Sequence, residues 1–179
     1  LYREVLGQEL PWMENCVRAH GARKLPVVLS VGQVNQLLAQ LSGREYLMAA
    51  LLYGAGLRLM ECLRLRVKDI NLQRTELTVR DGKGGKDRKT VLPRRLVPLL
   101  EAQLRQVAAL HLADLQVGCG YTSLPFALAR KYPNAPRELA WQYLFPAVRR
   151  GIDPLDGREK RHHIDEKVLQ RAVRNAAQR

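Results

Sequence analysis

G-A-G-L-R-L-M-E-C-L-R-L-R-V-K-D-I, Gly54 to Ile70, decides how this chain folds. A run that is apolar nearly all round, Leu47 to Leu52, leads into it, and Gly54 and Gly56 break that run. Arg58 then opens a short helix carrying Arg58, Glu61, Cys62 and Leu65, pointing out of an apolar layer. An arginine in that place can donate two parallel hydrogen bonds to a phosphate, and Glu61, one turn on, can hold the guanidinium still. Spacing alone favours something plainer: an ordinary i,i+3 ion pair, worth about 0.2–0.5 kcal/mol.

Working outward, Ser30 and Gln33 have capping-box spacing. Val31, Val34, Leu37, Leu38 and Leu41 follow at helical intervals, and Gly43 is the expected stop. Residues 45–54 read as a buried helix. Downstream the period changes to two: Leu77 and Val79 alternate with polar neighbours, and Thr90-Val91-Leu92 forms a second short run. D-G-K-G-G-K-D, Asp81 to Asp87, separates them and reads as a hairpin tip. Residues 94–116 return to helix, with Leu96, Leu99, Leu100, Leu104, Val107 and Ala108 on one face. Residues 117–160 are expected to be irregular. A last amphipathic helix starts at about Asp165, with Val168, Leu169, Ala172, Val173 and Ala176 as its stripe. The expected class is mainly α with a small antiparallel β-sheet (α+β).

The chain has 179 residues, 46% of them hydrophobic, which is enough for a packed core and argues against disorder. No apolar run reaches the roughly 18 residues of a membrane span. Lys and Arg total 30 against 17 acids, a net charge of +13 that points to nucleic acid as the partner and away from membranes. Cys16, Cys62 and Cys119 are odd in number and widely spaced, so neither a disulfide framework nor a zinc ribbon is expected, and a reducing cytoplasm is the natural setting. Residues 1–19 look helical but are interrupted at Leu10-Pro11, and Gly21 to Pro26 reads as a basic linker. Residues 1–24 are therefore read as the end of a preceding domain and its linker, and 25–179 as the amino-terminal part of a second. The first residue is Leu1, and the whole is read as an excerpt of a longer protein.

Positive charge is densest from Arg64 to Arg95, including Arg64, Arg66, Lys68, Arg80, Lys86 and Arg88. Spread over a helix end, a hairpin and the next helix start, these can line a DNA groove and bind phosphates without reading sequence. A merely solvated basic face is the alternative. Lys83 and Lys86 stand among glycines, which let backbone approach a phosphate, and this favours the groove. The G-K-G-G-K string is not a P-loop, because the G-x-x-x-x-G-K-[ST] spacing is absent.

Gly54–Ile70 followed by G-K-G-G-K-D-R resembles the catalytic domain of the tyrosine recombinases, the phage integrase family, from about Leu25 onward. R-K-Y-P at Arg130–Pro133 and R-H-H at Arg161–His163 bring the resemblance closest to the integron integrases, and the stretch 117–160 resembles their insertion. The resemblance implies DNA integration and recombination of mobile gene cassettes through a tyrosine that becomes linked to a DNA phosphate, with no cofactor and no metal. Arg58 matches the first catalytic arginine and Lys83 the hairpin lysine that protonates the leaving oxygen; Lys86 competes for that role. Such roles suit a fixed cation where charge develops and a proton donor on a mobile tip. The family's H-x-x-R box and its tyrosine are not matched. The string His20 to Arg23 precedes Arg58 and is set aside, and no tyrosine present follows such a box. The chain alone is therefore expected not to cleave DNA.

Trp141, Tyr143, Phe145, Pro154, His162 and His163 are flat or apolar groups among basic residues. Aromatic faces stack on unpaired bases at about 1–3 kcal/mol per base. The resemblance implies that Pro154, His162 and His163, with Trp141 nearby, grip a base flipped out of a folded single strand. A small satellite core is the alternative, favoured for Phe145. A zinc site at His162 and His163 lacks a third ligand at suitable spacing. Two functional classes follow: part of a site-specific recombinase, tetrameric on DNA when whole, or a structured-DNA-binding module without chemistry. A basic RNA-binding protein is a distant third.

Overall fold

The computed structural model describes residues 5–7, 27–82, 84–125 and 128–179. The chain divides into two compact units, 1–30 and 31–179. Everything below concerns the second. The expected helix over residues 1–19, apart from residues 5–7, and the Gly21–Pro26 linker lie outside the described residues.

Helix α1 spans Val31–Ala39 and α2 spans Gly43–Ala55. The first helix thus ends four residues before the expected stop at Gly43, which begins the next one. Leu47, Met48, Ala49, Ala50 and Leu51 are all buried, as the all-round apolar pattern requires. Accordingly α2 is the central rod, against which α1, α3 (Leu59–Leu63), α4 (Val97–Gln116) and α6 (Glu166–Ala176) pack.

Gly54 does not break α2, contrary to expectation; it lies inside the helix. A Cβ there would meet Pro93 Cγ at 2.6 Å, so the glycine permits close approach of the chain beyond β3. The stop is Gly56, whose φ of 63° is left-handed and whose N–H bonds to Leu52 O.

A three-stranded antiparallel sheet has the order β1 (Ile70–Asn71), β2 (Glu76–Val79), β3 (Arg88–Val91). Glu76 pairs with Val91 and Val79 with Arg88. Alternation along β2 buries Leu77 and Val79, as the period-two pattern predicts. The connection at 80–87 is the expected hairpin turn, with Gly84 and Gly85 at φ of 80° and 69°; Lys83 lies outside the described residues. The two-residue β1 has no counterpart in the sequence pattern. Residues 94–96 form a 3-10 turn leading into α4.

The stretch expected to be irregular has more order than its composition suggests. It holds a short helix α5 (Leu128–Lys131), 3-10 turns at Ala135–Arg137 and Leu139–Trp141, and a hairpin of β4 (Gly151–Ile152) and β5 (Glu159–Lys160). Between them, residues 142–147 run extended across the body. Val67 N donates to Gln142 O at 3.0 Å and Leu144 N to Leu65 O at 2.8 Å; Ile164 N donates to Phe145 O and Ala147 N to His162 O, both at 2.8 Å. This thread buries Leu144 and Phe145 completely, within the same core as Met48, Leu51, Leu63, Leu100 and Leu169. Phe145 is therefore part of the main core, not a satellite. Helix α6 begins on Asp165, whose side chain accepts from Lys167 N.

Helix propensity and packing make opposite predictions for Gly54→Ala. Propensity alone would stabilise α2 by about 0.5–1 kcal/mol. The Pro93 ring in the way should instead destabilise the fold by about 1–3 kcal/mol. Urea unfolding of parent and variant gives the sign; a stabilised variant would contradict the close contact.

Candidate nucleic-acid interface

Arg58 is the residue before the first turn of α3, set in extended backbone by the Gly56 turn and by buried Leu57. Its backbone N–H donates to Glu61 Oε2 and its Nη1 to Glu61 Oε1, both at 2.8 Å. From β3, Arg88 donates Nη1 to Oε1 and Nη2 to Oε2 of the same carboxylate, again at 2.8 Å, and Nη2 also reaches Gly56 O. Glu61 thus joins α3 to the hairpin strand. Its side chain is 7% exposed, while that of Arg58 is 59% exposed. The pair is more than an ordinary surface i,i+3 contact, because the acid is buried and shared. Arg88's hydrogen bonds are the main cause that lowers the Glu61 pKa to about 2; burial opposes, and both donors of Arg58 assist.

The same arrangement recurs eight residues later. Arg66 N donates to Asp69 Oδ2 at 3.0 Å, across another Arg-x-x-acid step, and Asp69 Oδ1 accepts from Arg80 Nε at 2.7 Å. The charge pattern places Arg66 against DNA, but the fold does not. It is only 8% exposed, and its guanidinium donates to the carbonyls of Trp141 and Ser123 and to the Tyr143 hydroxyl. Burial lowers its pKa, with Tyr143 and Asp69 opposing. Arg66 therefore points inward and ties the segment after α3 to residues 123 and 141–143. Arg80 is exposed but shared between Asp69 and Asp87. Arg64 and Lys86 are exposed, and Arg88 is half-buried on Glu61.

A cavity of about 320 Å³ opens between β2, α3 and residues of the 123–143 stretch. Arg64, Arg66, Arg80, Trp141, Tyr143 and His163 line it, together with Glu61 and Asp69. His163 stands edge-on to Tyr143, ring centroids 5.3 Å apart, and its Nδ1 bonds Ile164 O at 2.8 Å. The Lys68 Nζ lies 2.8 Å from the centroid of the Trp141 ring. The structure therefore brings Trp141 and His163 to one cavity. His162, half-buried, and Pro154, exposed on the β4–β5 turn, do not line it.

Sequence reasoning missed the buried acids that hold the stretch between α4 and α6. Asp114 on α4, 4% exposed, accepts from Arg150 Nη1 at 2.9 Å and from Arg161 Nε and Nη2 at 2.6 and 2.8 Å. Burial alone would raise its pKa, but the arginines outweigh it and the net direction is down. Asp153 bonds Lys160 and Ser123, chiefly through Lys160, and is likewise lowered. The helical spacing of Asp114 from Leu100 and Val107 is the signal that could have found the first of these acids. Among the described residues no cluster of His, Cys, Asp or Glu is suited to a metal ion, and no helix is long and apolar enough to cross a membrane.

The phage integrase family model matches residues 28–179. A protein described as "Integrase/recombinase" from Escherichia coli is 41% identical over 177 residues, covering 99% of this chain and 52% of that protein, and one from Pseudomonas aeruginosa gives the same figures. Tyrosine recombinase XerA from Pyrococcus furiosus is 39% identical over 87 residues, 47% of this chain and 30% of the relative. The crystal structure of XerA recombinase superposes with a TM-score of 0.52 at 22% identity, over 87% of this chain and 43% of that one, a likeness of fold. The chain spans about half the length of the curated relatives that it matches most fully.

Because the Glu61 pKa is depressed from 4.5 to about 2, its contribution is fully present above about pH 4.5 and is lost as pH falls towards 2. Between neutrality and about pH 3 the parent should lose about 2 kcal/mol from this group. Glu61→Gln should lack that component, so the two proteins' urea-derived stabilities should converge in acid. Parallel pH profiles would contradict the buried double ion pair.

Proposed function

The chain belongs to the phage integrase family, and we propose that it supplies the phosphate-holding part of a site-specific DNA recombinase of the integron type. The observation that carries this reading is the Arg58–Glu61–Arg88 cluster: a buried acid fixes one arginine while leaving most of that arginine's side chain exposed. A guanidinium held in this way meets a phosphoryl oxygen with little reorganisation, which is what stabilises developing charge. Lys83, in the connection between β2 and β3, takes the role of proton donor to the leaving oxygen, with Lys86 as the competing lysine. The relatives extend well beyond the matched stretch, so strand transfer is proposed for a whole recombinase, tetrameric on DNA, and phosphate holding for this chain.

The integron-type part of the reading rests on the cavity. Trp141 and His163 line it, both are able to face a base, and arginines surround them. An extrahelical base entering there gains stacking, while neighbouring phosphates meet Arg64 and Lys86. Pro154 and His162 are assigned to the rim of the same folded-strand contact. Arg66 positions Trp141 and Tyr143 from behind.

Duplex affinity should fall steeply with salt, with a log–log slope of roughly −0.9 per phosphate neutralised, and Arg58→Ala should reduce the slope by about one such contact. A flat salt response would contradict a phosphate-binding face. In competition between a hairpin with a bulged base and a paired duplex of equal length, His163→Ala should lose roughly fivefold to a hundredfold on the hairpin alone. Equal losses on both DNAs would leave His163 a structural residue and remove the integron-type reading.

A further inference from the structure

Lys68 covers one face of the Trp141 ring, the side chain read above as a base platform. It belongs to the 3-10 turn Val67–Asp69, and its ammonium rests over the Trp141 ring, 2.8 Å from the centroid. The adjacent acid does not hold it. Asp69 Oδ1 is taken by Arg80 Nε at 2.7 Å and Oδ2 by Arg66 N at 3.0 Å. Among the described residues no carboxylate comes within ion-pair distance of Lys68, and its ammonium contacts the ring instead. The indole face is thus the electron-rich surface left to it.

We propose that Lys68 is a specificity gate on Trp141: it covers the stacking face in the free protein and yields it only to a base that stacks more strongly than the cation does. The proposal rests on the reading of Trp141 as a base platform. A cation on an indole face is worth roughly twofold to thirtyfold in an equilibrium constant. Base stacking on an aromatic side chain is worth roughly fivefold to a hundredfold. The two ranges overlap, so a small pyrimidine gains little by replacing the lysine, whereas a large purine surface gains. The gate is also poised to open. Burial pushes the Lys68 pKa down to about 8, with Arg80 and Arg66 adding to the effect and Asp69 and Asp87 opposing it, so the ammonium regains hydration when it swings out. Outside, it lies among the other cations of this face and can meet a phosphate.

The test is a competition assay with three DNAs: a hairpin bearing one bulged adenine, one bearing a bulged thymine, and a paired duplex of the same length. The proteins are the parent, Lys68→Met and Trp141→Ala. Methionine keeps an apolar stem but removes the charge. The expected result is a several-fold gain of Lys68→Met for the bulged thymine relative to duplex, so that the adenine-to-thymine ratio narrows. An unchanged ratio, or hairpin and duplex affinities falling together, would overturn the gate and make Lys68 a phosphate contact. If Trp141→Ala abolishes a bulge preference that Lys68→Met does not alter, the platform stands and the gate alone fails. If the parent has no bulge preference, both fail. A measurement without DNA guards against a folding defect: the Lys68 methylene protons in the parent should show an upfield ring-current shift that Trp141→Ala removes. Absence of that shift in the parent would also overturn the proposal.

Discussion

The site depends on one buried carboxylate. Glu61 accepts from Arg58 and Arg88 at once, so a five-residue helix and a hairpin strand, 27 residues apart in sequence, share a single anchor. Removing a buried acid of this kind would leave two arginines without their common partner. The arrangement also explains why Arg58 is rigid at its base and open at its tip. Both Glu61 oxygens are committed inward, and the outward side of the guanidinium is what remains for an external anion.

A second layer of the same design holds the stretch between α4 and α6. Asp69 holds Arg66 by its backbone and Arg80 by its side chain; Arg66 in turn grips Trp141, Ser123 and Tyr143. Asp114 fixes Arg161 beside the His162–His163 pair. The extended thread 142–147, bonded on both sides, carries Leu144 and Phe145 into the core. Charged side chains position the flat ones, and the apolar core positions the thread on which the flat ones sit.

Much of this architecture is legible in sequence. The apolar run at 47–52, the period-two pair around D-G-K-G-G-K-D and the stripe at 168–176 each specify their element through burial periodicity alone. Sequence and structure part where one neighbour overrides local preference. Gly54 reads as a breaker but is a contact surface for Pro93, which only the folded chain brings near. Residues 142–147 read as irregular because their pattern lacks a period, yet two flanking segments supply their hydrogen bonds. Arg66 and Arg80 read as DNA contacts because sequence gives the sign of a charge but not its partner. Asp69, which decides those partnerships, lies in a segment whose apolar pattern does not mark it as buried, whereas Asp114 follows Leu100 and Val107 on the buried face of α4. The family resemblance supplies what periodicity cannot, namely the roles proposed for Arg58 and Lys83.

Arg58, fixed by Glu61, is proposed to contact one DNA phosphate. Single methylphosphonate replacement tests it most directly, since it removes one backbone charge at a time while keeping the bases. Scanned along a recombination-site strand, binding by the parent should drop at one position where binding by Arg58→Ala does not change, because that variant has already lost the contact. The same drop in both proteins at every position would contradict the account.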